Sequence, residues 1–170
     1  MSSKVIIFDT SVFCCWLRIP GKDTCGPKSD RWNYDRIARK VKDEEKKGSV
    51  FVLPLATIIE TGNHIAFVSG DRFPLAQRLA DYIRKAATDT APWAAFGHQN
   101  ELWSQSKLLD LADRWPKLAV QGLGIGDTTI KDVADFYAST NAVTVEILTG
   151  DQGLKSLQPA VKRPEPRRRR

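Results

Sequence analysis

The stretch Lys4–Ser11, KVIIFDTS, decides the fold class of this 170-residue chain. Its first five residues form a short, mainly apolar run rich in β-branched side chains, and the run ends at Asp9. Asp, Thr and Ser, which follow in that order, all favour the N-terminus of a helix. The pattern predicts a buried strand that leads directly into a helix, a junction typical of α/β proteins.

Two further segments carry the same strand signal. Ser49–Leu53, SVFVL, precedes Pro54, and Ala142–Leu148, AVTVEIL, precedes a Thr-Gly-Asp turn. Strands that are separated by helices indicate parallel pairing through right-handed crossovers, and so predict a three-layer α/β/α sandwich with a central, mainly parallel sheet. The predicted helices cover residues 10–17, 30–47, 54–70, 75–88, one or two segments within 98–119, 127–139 and 152–157.

Length and charge predict a single domain over residues 1–160, followed by a disordered basic tail over residues 161–170. The apolar share of 42% and the charged share of 27% are ordinary for a globular protein. The tail holds six basic residues and one glutamate, which is +5 of the net charge of +6, so the rest of the chain carries only +1. Such a tail can hold phosphates without specificity, or it can serve only as a solubilising end.

The cellular compartment is predicted from two features that the sequence lacks, a membrane span and a signal peptide. No apolar run approaches the roughly 20 residues of a membrane span, and the N-terminal run is broken at Asp9 with no cleavage site after it, unlike a signal peptide. We therefore expect a cytoplasmic protein without a membrane partner. Cys14, Cys15 and Cys25 have no metal-ligand spacing, which favours reduced thiols over a zinc site.

Four acidic residues from distant segments are predicted to meet at one edge of the sheet. Asp9 directly follows the first strand, and Asp151 follows the last strand closely. Glu60 lies in the first two turns of the helix after the second strand, and Asp127 begins the helix that leads into the last strand. All four positions correspond to the carboxyl ends of parallel strands, where open α/β sheets place their functional crevice.

Glu60 raises the question of what balances these charges. It is the only formally charged residue of its helix, PLATIIETGNHIAFVSG (Pro54–Gly70), with His64 counted as neutral. An unpaired buried carboxylate is costly, so Glu60 faces solvent, pairs with a distant cation or faces a bound metal ion. Clustered oxygen ligands suit Mg²⁺ or Mn²⁺. A carboxylate-held Mg²⁺ of this kind can activate water for the cleavage of a phosphodiester.

Each acid also has a structural interpretation. Asp9 and Asp127 can cap the helices that they precede, and Asp151 suits a Thr-Gly-Asp turn. Capping and metal binding are compatible, because a capping carboxylate keeps a free oxygen. Asp132 and Asp135 share a helix with Asp127 but point in other directions, so we expect both to be solvated, with Asp135 the better placed to support the site.

Two residues that follow Glu60 on its helix are weaker candidates. Asn63 lies one turn later on the same face, where it can contact a metal-ligated water or RNA, or be an ordinary surface residue. His64 can shuttle a proton, but a single histidine is more often structural.

The motifs VIIFDTSVF, IIETGN, GDTTIKDVADFY and ILTGDQGL together resemble, in order and over most of the chain, the four acidic motifs of PIN-domain nucleases. The resemblance implies a Rossmann-like α/β/α domain that binds Mg²⁺ or Mn²⁺ and, in many members, cleaves single-stranded RNA. It implies that the catalytic and metal-binding acids are Asp9, Glu60, Asp127 and Asp151. It also implies that hydroxyl groups near the metal come from Thr10 or Ser11, and from Thr149.

The toxins of bacterial type II toxin–antitoxin pairs are the commonest small form of that family. The resemblance therefore implies a possible antitoxin protein as partner, a homodimer, and products with 5′-phosphate and 3′-hydroxyl ends. The Arg18–Ser29 loop and the Leu75–Ala119 helical region are longer than in the compact toxins. Two alternatives stay open, namely a catalytically silent PIN scaffold that binds RNA or protein, and a PIN nuclease that acts on structured DNA.

Overall fold

A three-stranded parallel sheet forms the centre of the computed structural model, which describes residues 4–140 and 143–160. The strands, in chain order, are β1 (Lys4–Phe8), β2 (Thr24–Cys25), β3 (Trp32–Asn33), β4 (Val50–Val52) and β5 (Thr144–Leu148). The central strand is β1, which pairs in parallel with β4 on one side and with β5 on the other. The remaining two strands form a separate antiparallel pair.

Helices flank this sheet, which confirms the predicted α/β fold with a parallel sheet. The α-helices are α1 (Thr10–Trp16), α2 (Tyr34–Lys46), α3 (Leu55–Phe67), α4 (Phe73–Ala87), α5 (Gln105–Val120), α6 (Ile125–Thr140) and α7 (Gln152–Lys155). Two 3₁₀ segments, Lys28–Asp30 and Phe96–Trp103, complete the described elements.

The two faces of β1 bury different sets of side chains, because successive residues of a strand point to opposite sides. Ile6 and Phe8 belong to a core that includes α1 and the aromatic rings of Phe51 and Trp93. Val5 and Ile7 belong to a second core that is closed by α6. With helices over both faces, the arrangement is compatible with a three-layer α/β/α sandwich.

The start of α2 differs from the predicted helix over residues 30–47. Trp32 and Asn33 pair with β2 as the short strand β3, so the helix begins only at Tyr34. The side-chain oxygen of Asn33 accepts a hydrogen bond from the backbone N–H of Arg36 at 2.9 Å, which caps the helix. The charged residues of this segment predicted a helix from residue 30, but pairing of β3 with β2 occupies the residues that would have formed its first turn.

Other helix boundaries also move, and two of these changes affect larger segments or the site. The predicted helical region 98–119 divides into the 3₁₀ segment Phe96–Trp103 and α5, which continues through Pro116. Helix α6 begins at Ile125, so Asp127 lies within its first turn and does not cap it. The capping role considered for Asp127 is therefore wrong, while its position near the start of the helix is as expected.

An ionic network lies at the edge of the sheet where β1 and β4 begin. The side chain of Glu44 is buried, and it accepts hydrogen bonds from Lys4 at 3.1 Å, Lys40 at 3.0 Å and the Ser49 hydroxyl at 2.7 Å. Both lysines also pair with Glu146 of β5. This network ties α2 to the sheet and leaves its buried carboxylate fully compensated.

Within residues 4–140 and 143–160, no helix combines the length and the apolar character that crossing a membrane would require. The predicted basic tail, 161–170, and the first residue of the predicted last strand, Ala142, lie outside the described residues.

Candidate functional site

Asp9 occupies the junction between β1 and α1, and its side chain is almost fully buried. Its Oδ2 accepts hydrogen bonds from the Ser11 hydroxyl at 2.6 Å, the Thr149 hydroxyl at 2.7 Å and the backbone N–H of Ser11 at 3.3 Å. Asp9 therefore does cap α1. All three bonds use the same oxygen, so Oδ1 remains available for another ligand.

The turn after β5 ties Asp151 to the same junction. Besides donating to Asp9, the Thr149 hydroxyl accepts a hydrogen bond from the backbone N–H of Asp151 at 2.9 Å, and the backbone N–H of Gly150 donates to the Ser11 hydroxyl at 3.0 Å. The exposed Asp151 side chain uses Oδ1 to cap α7 at the backbone N–H of Leu154. Its other oxygen is left to face the crevice or solvent.

Glu60 reaches this edge of the sheet from α3. Its Oε2 accepts a hydrogen bond from the Thr10 hydroxyl at 2.6 Å, and Thr10 directly follows Asp9. The start of α3 is fixed to the end of β1 because the Thr57 hydroxyl donates to the carbonyl oxygen of Phe8 at 2.7 Å. Glu60 thus points toward the carboxyl ends of the strands, as expected, and is only half-buried.

Gly126 lets α6 approach Glu60. A β-carbon at this position would lie 2.0 Å from Oε1 of Glu60, so the close approach requires glycine. The predicted helix began only at Asp127, so this role of Gly126 was not recognised from the sequence. The available signal was a glycine directly before an acidic residue at the start of a helix, where glycine is otherwise unfavourable.

Asp127 is half-buried and follows Gly126. Burial, together with the negative charges of Asp9, Asp151 and Glu60, raises the pKa of its carboxyl to about 6. This shift places each of the three acids near Asp127. Thr149 links Asp9 to Asp151, Thr10 next to Asp9 donates to Glu60, and Gly126 next to Asp127 contacts Glu60. The structure therefore brings the four predicted acids together at the carboxyl edge of the sheet.

In the part of the chain that the structure describes, none of these four carboxylates forms an ion pair with Lys, Arg or His. Across the same residues, no group of three or more His, Cys, Asp or Glu side chains forms a ready-made metal-binding group. The donors are all carboxylate and hydroxyl oxygens, which are the ligands that Mg²⁺ and Mn²⁺ prefer. The chemistry of these oxygen donors therefore suits a divalent cation, although they do not form a ready-made site.

Other candidates lie outside this cluster. Asn63 is exposed, and its side chain makes no hydrogen bond to any described residue. Asp132 is half-buried and pairs with Arg114 of α5, so the expectation that it is solvated is wrong. Asp135 pairs with Lys131 on its own helix, and it is not among the groups that raise the pKa of Asp127.

Comparison with known proteins adds no family to this description, since the chain matches no protein-family model, no curated protein and no solved structure. The interpretation of the site therefore depends on its own geometry and charge.

Proposed function

We propose that this protein is a metal-dependent endoribonuclease of the PIN-like type that cleaves single-stranded RNA. The observation that carries the proposal is the convergence of Asp9, Glu60, Asp127 and Asp151 at one sheet edge, with no cationic side chain paired to any of them among the described residues. A bound Mg²⁺ or Mn²⁺ would supply the missing positive charge, activate water and stabilise the leaving oxygen of the phosphodiester.

The hydroxyl groups have a positioning role in this proposal. Ser11 and Thr149 hold Asp9 through one oxygen, and Thr10 holds Glu60 through one oxygen, so each carboxylate is oriented and still keeps a free oxygen. Such fixed outer contacts reduce the reorganisation that ligand binding would otherwise require. Since Asp127 must lose its proton to act as a ligand, we expect cation affinity to fall below about pH 6.

The resemblance to toxin ribonucleases extends the proposal to partners. Phe67 at the end of α3 and Phe73 at the start of α4 expose 86% and 68% of their surfaces. Exposed apolar residues that form one contiguous patch are typical of a surface that another chain covers. Phe67 and Phe73 are candidate contacts for the homodimer or for the antitoxin protein that the resemblance implies.

The test combines cleavage with cation binding. We expect Asp9→Asn and Glu60→Gln each to lower Mn²⁺-dependent cleavage of a single-stranded RNA at least about 100-fold, because a misplaced cation misaligns the reacting groups. Calorimetry should show weaker Mn²⁺ binding by the same variants. Asp135→Asn, an exposed acid on α6 outside the cluster, is the matched control and should behave as the unaltered protein.

The outcomes separate the alternatives. If both variants kept metal-dependent cleavage, the proposal would be wrong. If the unaltered protein bound no Mn²⁺ at neutral pH, the catalytically silent scaffold would be favoured instead. Cleavage of a structured DNA in preference to single-stranded RNA would identify the third alternative.

A further inference from the structure

A small cavity lies at the C-terminal end of α1, away from the carboxylates. It has a volume of about 270 Å³ and is formed between α1, the start of α2 and one face of α4. Its walls combine aromatic rings with basic side chains, namely Trp16, Tyr34, Tyr82, Arg18, Arg78 and Lys85. Neither the carboxylate cluster nor the proposed cleavage reaction uses any of these residues.

The basic groups of this cavity are not neutralised. Within the described ranges, Arg18, Arg78 and Lys85 form no ion pair and donate no side-chain hydrogen bond. The one acidic residue that lines the cavity, Asp81, is engaged by Arg84 at 2.7 Å. The cavity therefore offers several unused N–H donors and an excess of positive charge, which suits an anionic ligand.

Two of the basic groups are already arranged on aromatic faces. The guanidinium carbon of Arg18 lies 3.7 Å from the centre of the Tyr34 ring, and the ammonium nitrogen of Lys85 lies 5.0 Å from the centre of the Tyr82 ring. Stacking occupies the flat face of a guanidinium and leaves its edge donors free for a phosphate. Trp16 and Tyr82, whose ring centres are 5.0 Å apart, form the floor of the cavity, and both rings also pack against Phe13 of the core.

The backbone at Arg18 is itself unusual. Its φ of +55° lies in the left-handed region, which an arginine rarely adopts and a glycine adopts easily. The turn is fixed by the backbone hydrogen bond from the Arg18 N–H to the Cys15 carbonyl oxygen at 3.0 Å. Since the turn itself would favour glycine, the presence of arginine indicates that its side chain over Tyr34 is what the position requires.

The cavity and the carboxylate cluster lie at opposite ends of α1, whose residues between them are mostly buried. This helix has seven residues and runs from the Asp9 cap to the turn at Arg18, a length of about 10 Å at 1.5 Å per residue. A stacked strand rises roughly 3.4 Å per nucleotide, so about three nucleotides cover this distance. Lys22 is exposed and lies four residues after Arg18. Burial raises the pKa of the Cys14 thiol on α1, and the positive charge of Lys22 partly offsets that rise.

We propose that this cavity is a binding subsite for single-stranded RNA, in which a base packs beside Tyr34 over the floor formed by Trp16 and Tyr82 while Arg18, Arg78 and Lys85 hold the flanking phosphates. Aromatic platforms beside basic groups are how proteins grip single strands without reading their sequence. The identity of the ligand rests on the nuclease function proposed above. The subsite would hold the strand at least about three nucleotides from the point of cleavage.

Binding is measured separately from cleavage to test this subsite. The probe is a fluorescein-labelled oligouridine of 12 nucleotides, titrated with the full-length protein in EDTA and followed by fluorescence anisotropy. We expect the Arg78→Ala/Lys85→Ala double variant to bind at least about tenfold more weakly, and its dependence on salt to fall by about 1.4 in log–log slope, since each lost phosphate contact contributes about 0.7. Both positions are exposed on α4, and a thermal melt checks that the variant folds.

Matched variants sharpen the result. Lys42→Ala/Lys46→Ala removes the same charge from exposed positions of α2 and should leave binding unchanged. Tyr34→Phe should bind as the unaltered protein and Tyr34→Ala should not, because stacking needs the ring and not its hydroxyl group.

The subsite would be refuted if the α4 double variant bound like the α2 control. Displacement of the probe by an equal concentration of uridine monophosphate would also overturn it, in favour of a mononucleotide site. Mn²⁺-dependent cleavage by the unaltered protein is scored independently. If the unaltered protein cleaves RNA normally and the α4 variant binds the probe as tightly as the unaltered protein, only the subsite is refuted. If the α4 variant binds more weakly but the unaltered protein does not cleave RNA, the subsite is supported and the nuclease proposal is refuted.

Discussion

The two ends of the central sheet hold carboxylates in opposite electrostatic settings. Where β1 and β4 begin, burial alone would raise the pKa of Glu44, but hydrogen bonds from Ser49, Lys40 and Lys4 lower it to about 2. Where the strands end, Asp127 has no cationic partner among the described residues, and its pKa is raised to about 6. The first arrangement stabilises the fold by itself, whereas the second becomes favourable only when a ligand supplies positive charge.

The largest effect should come from filling the space beside Glu60. We expect Gly126→Ala to lower Mn²⁺-dependent RNA cleavage on the order of 100-fold, because the new β-carbon displaces a carboxylate oxygen and small misplacements are costly in catalysis. Stability should be retained, since the displaced atom ends a flexible side chain and alanine favours a helix over glycine by about 1 kcal/mol. Cleavage kinetics and a thermal melt measure the two effects.

Gly62→Ala is the matched control on α3. Its β-carbon would meet only a methyl group of Leu79, at an ordinary 3.8 Å, so we expect activity within about twofold of the unaltered protein. Full activity in Gly126→Ala would show that the position of Glu60 beside α6 does not matter for the reaction.

A stability effect at the opposite edge should be smaller. We expect Glu44→Gln to lower the free energy of unfolding by about 2 kcal/mol, because Lys4 and Lys40 lose their charged acceptor. Urea denaturation at pH 7 measures this change. Glu45→Gln makes the same substitution at the exposed neighbouring residue and should stay within about 0.5 kcal/mol of the unaltered protein. Equal stability of the two variants would contradict the structural role of the network.

The smallest predicted effect has the opposite sign. The raised pKa of Asp127 means that the folded state binds its proton more tightly, so in metal-free buffer stability is lost as pH rises from about 4 to about 6. We expect Asp127→Asn to be more stable than the unaltered protein at pH 7, because it removes a repelled negative charge, and equally stable at pH 4. The gain should be only about 1 kcal/mol, because solvent screens this half-exposed group.

Urea denaturation in the presence of a chelator measures this difference at both pH values, with Asp135→Asn as control. Glu44 provides the contrast, since its lowered pKa predicts that stability is lost as pH falls from about 4.5 to about 2. If Asp127→Asn were less stable than the unaltered protein at pH 7, the negative charges of the acids at the carboxyl edge would have to be balanced within the protein itself.

Local sequence was sufficient to predict the framework of the site. In KVIIFDTS a strand signal and a capping signal adjoin, so both the end of β1 and the place of Asp9 follow from neighbouring residues. The meeting of Asp9 with Glu60 and Asp127 required one further step, because parallel strands bring their carboxyl ends to one edge. The chemical roles of these acids remain predictions.

Contacts between elements that are distant in the chain could not be predicted in this way. The pairing of β3 with β2 delays the start of α2, although the charged sequence around Tyr34 favours a helix. The pairing of Asp132 with Arg114 depends on how α5 packs beside α6, which helix periodicity does not reveal. The close approach of Gly126 to Glu60 is likewise set by packing and not by local preference.

The central position of β1 determines when the protein can acquire its carboxylate cluster. Strand β1 is synthesised well before β5, with which it pairs, and the hydrogen bond from Thr149 to Asp9 closes a separation of 140 residues. Contacts between residues this far apart in the chain form late and make folding slow. The entropy cost of closing the loop must be met before the contacts can stabilise the fold. A nascent chain in which β5 is still inside the ribosome therefore cannot yet bring Thr149 and Asp151 to Asp9.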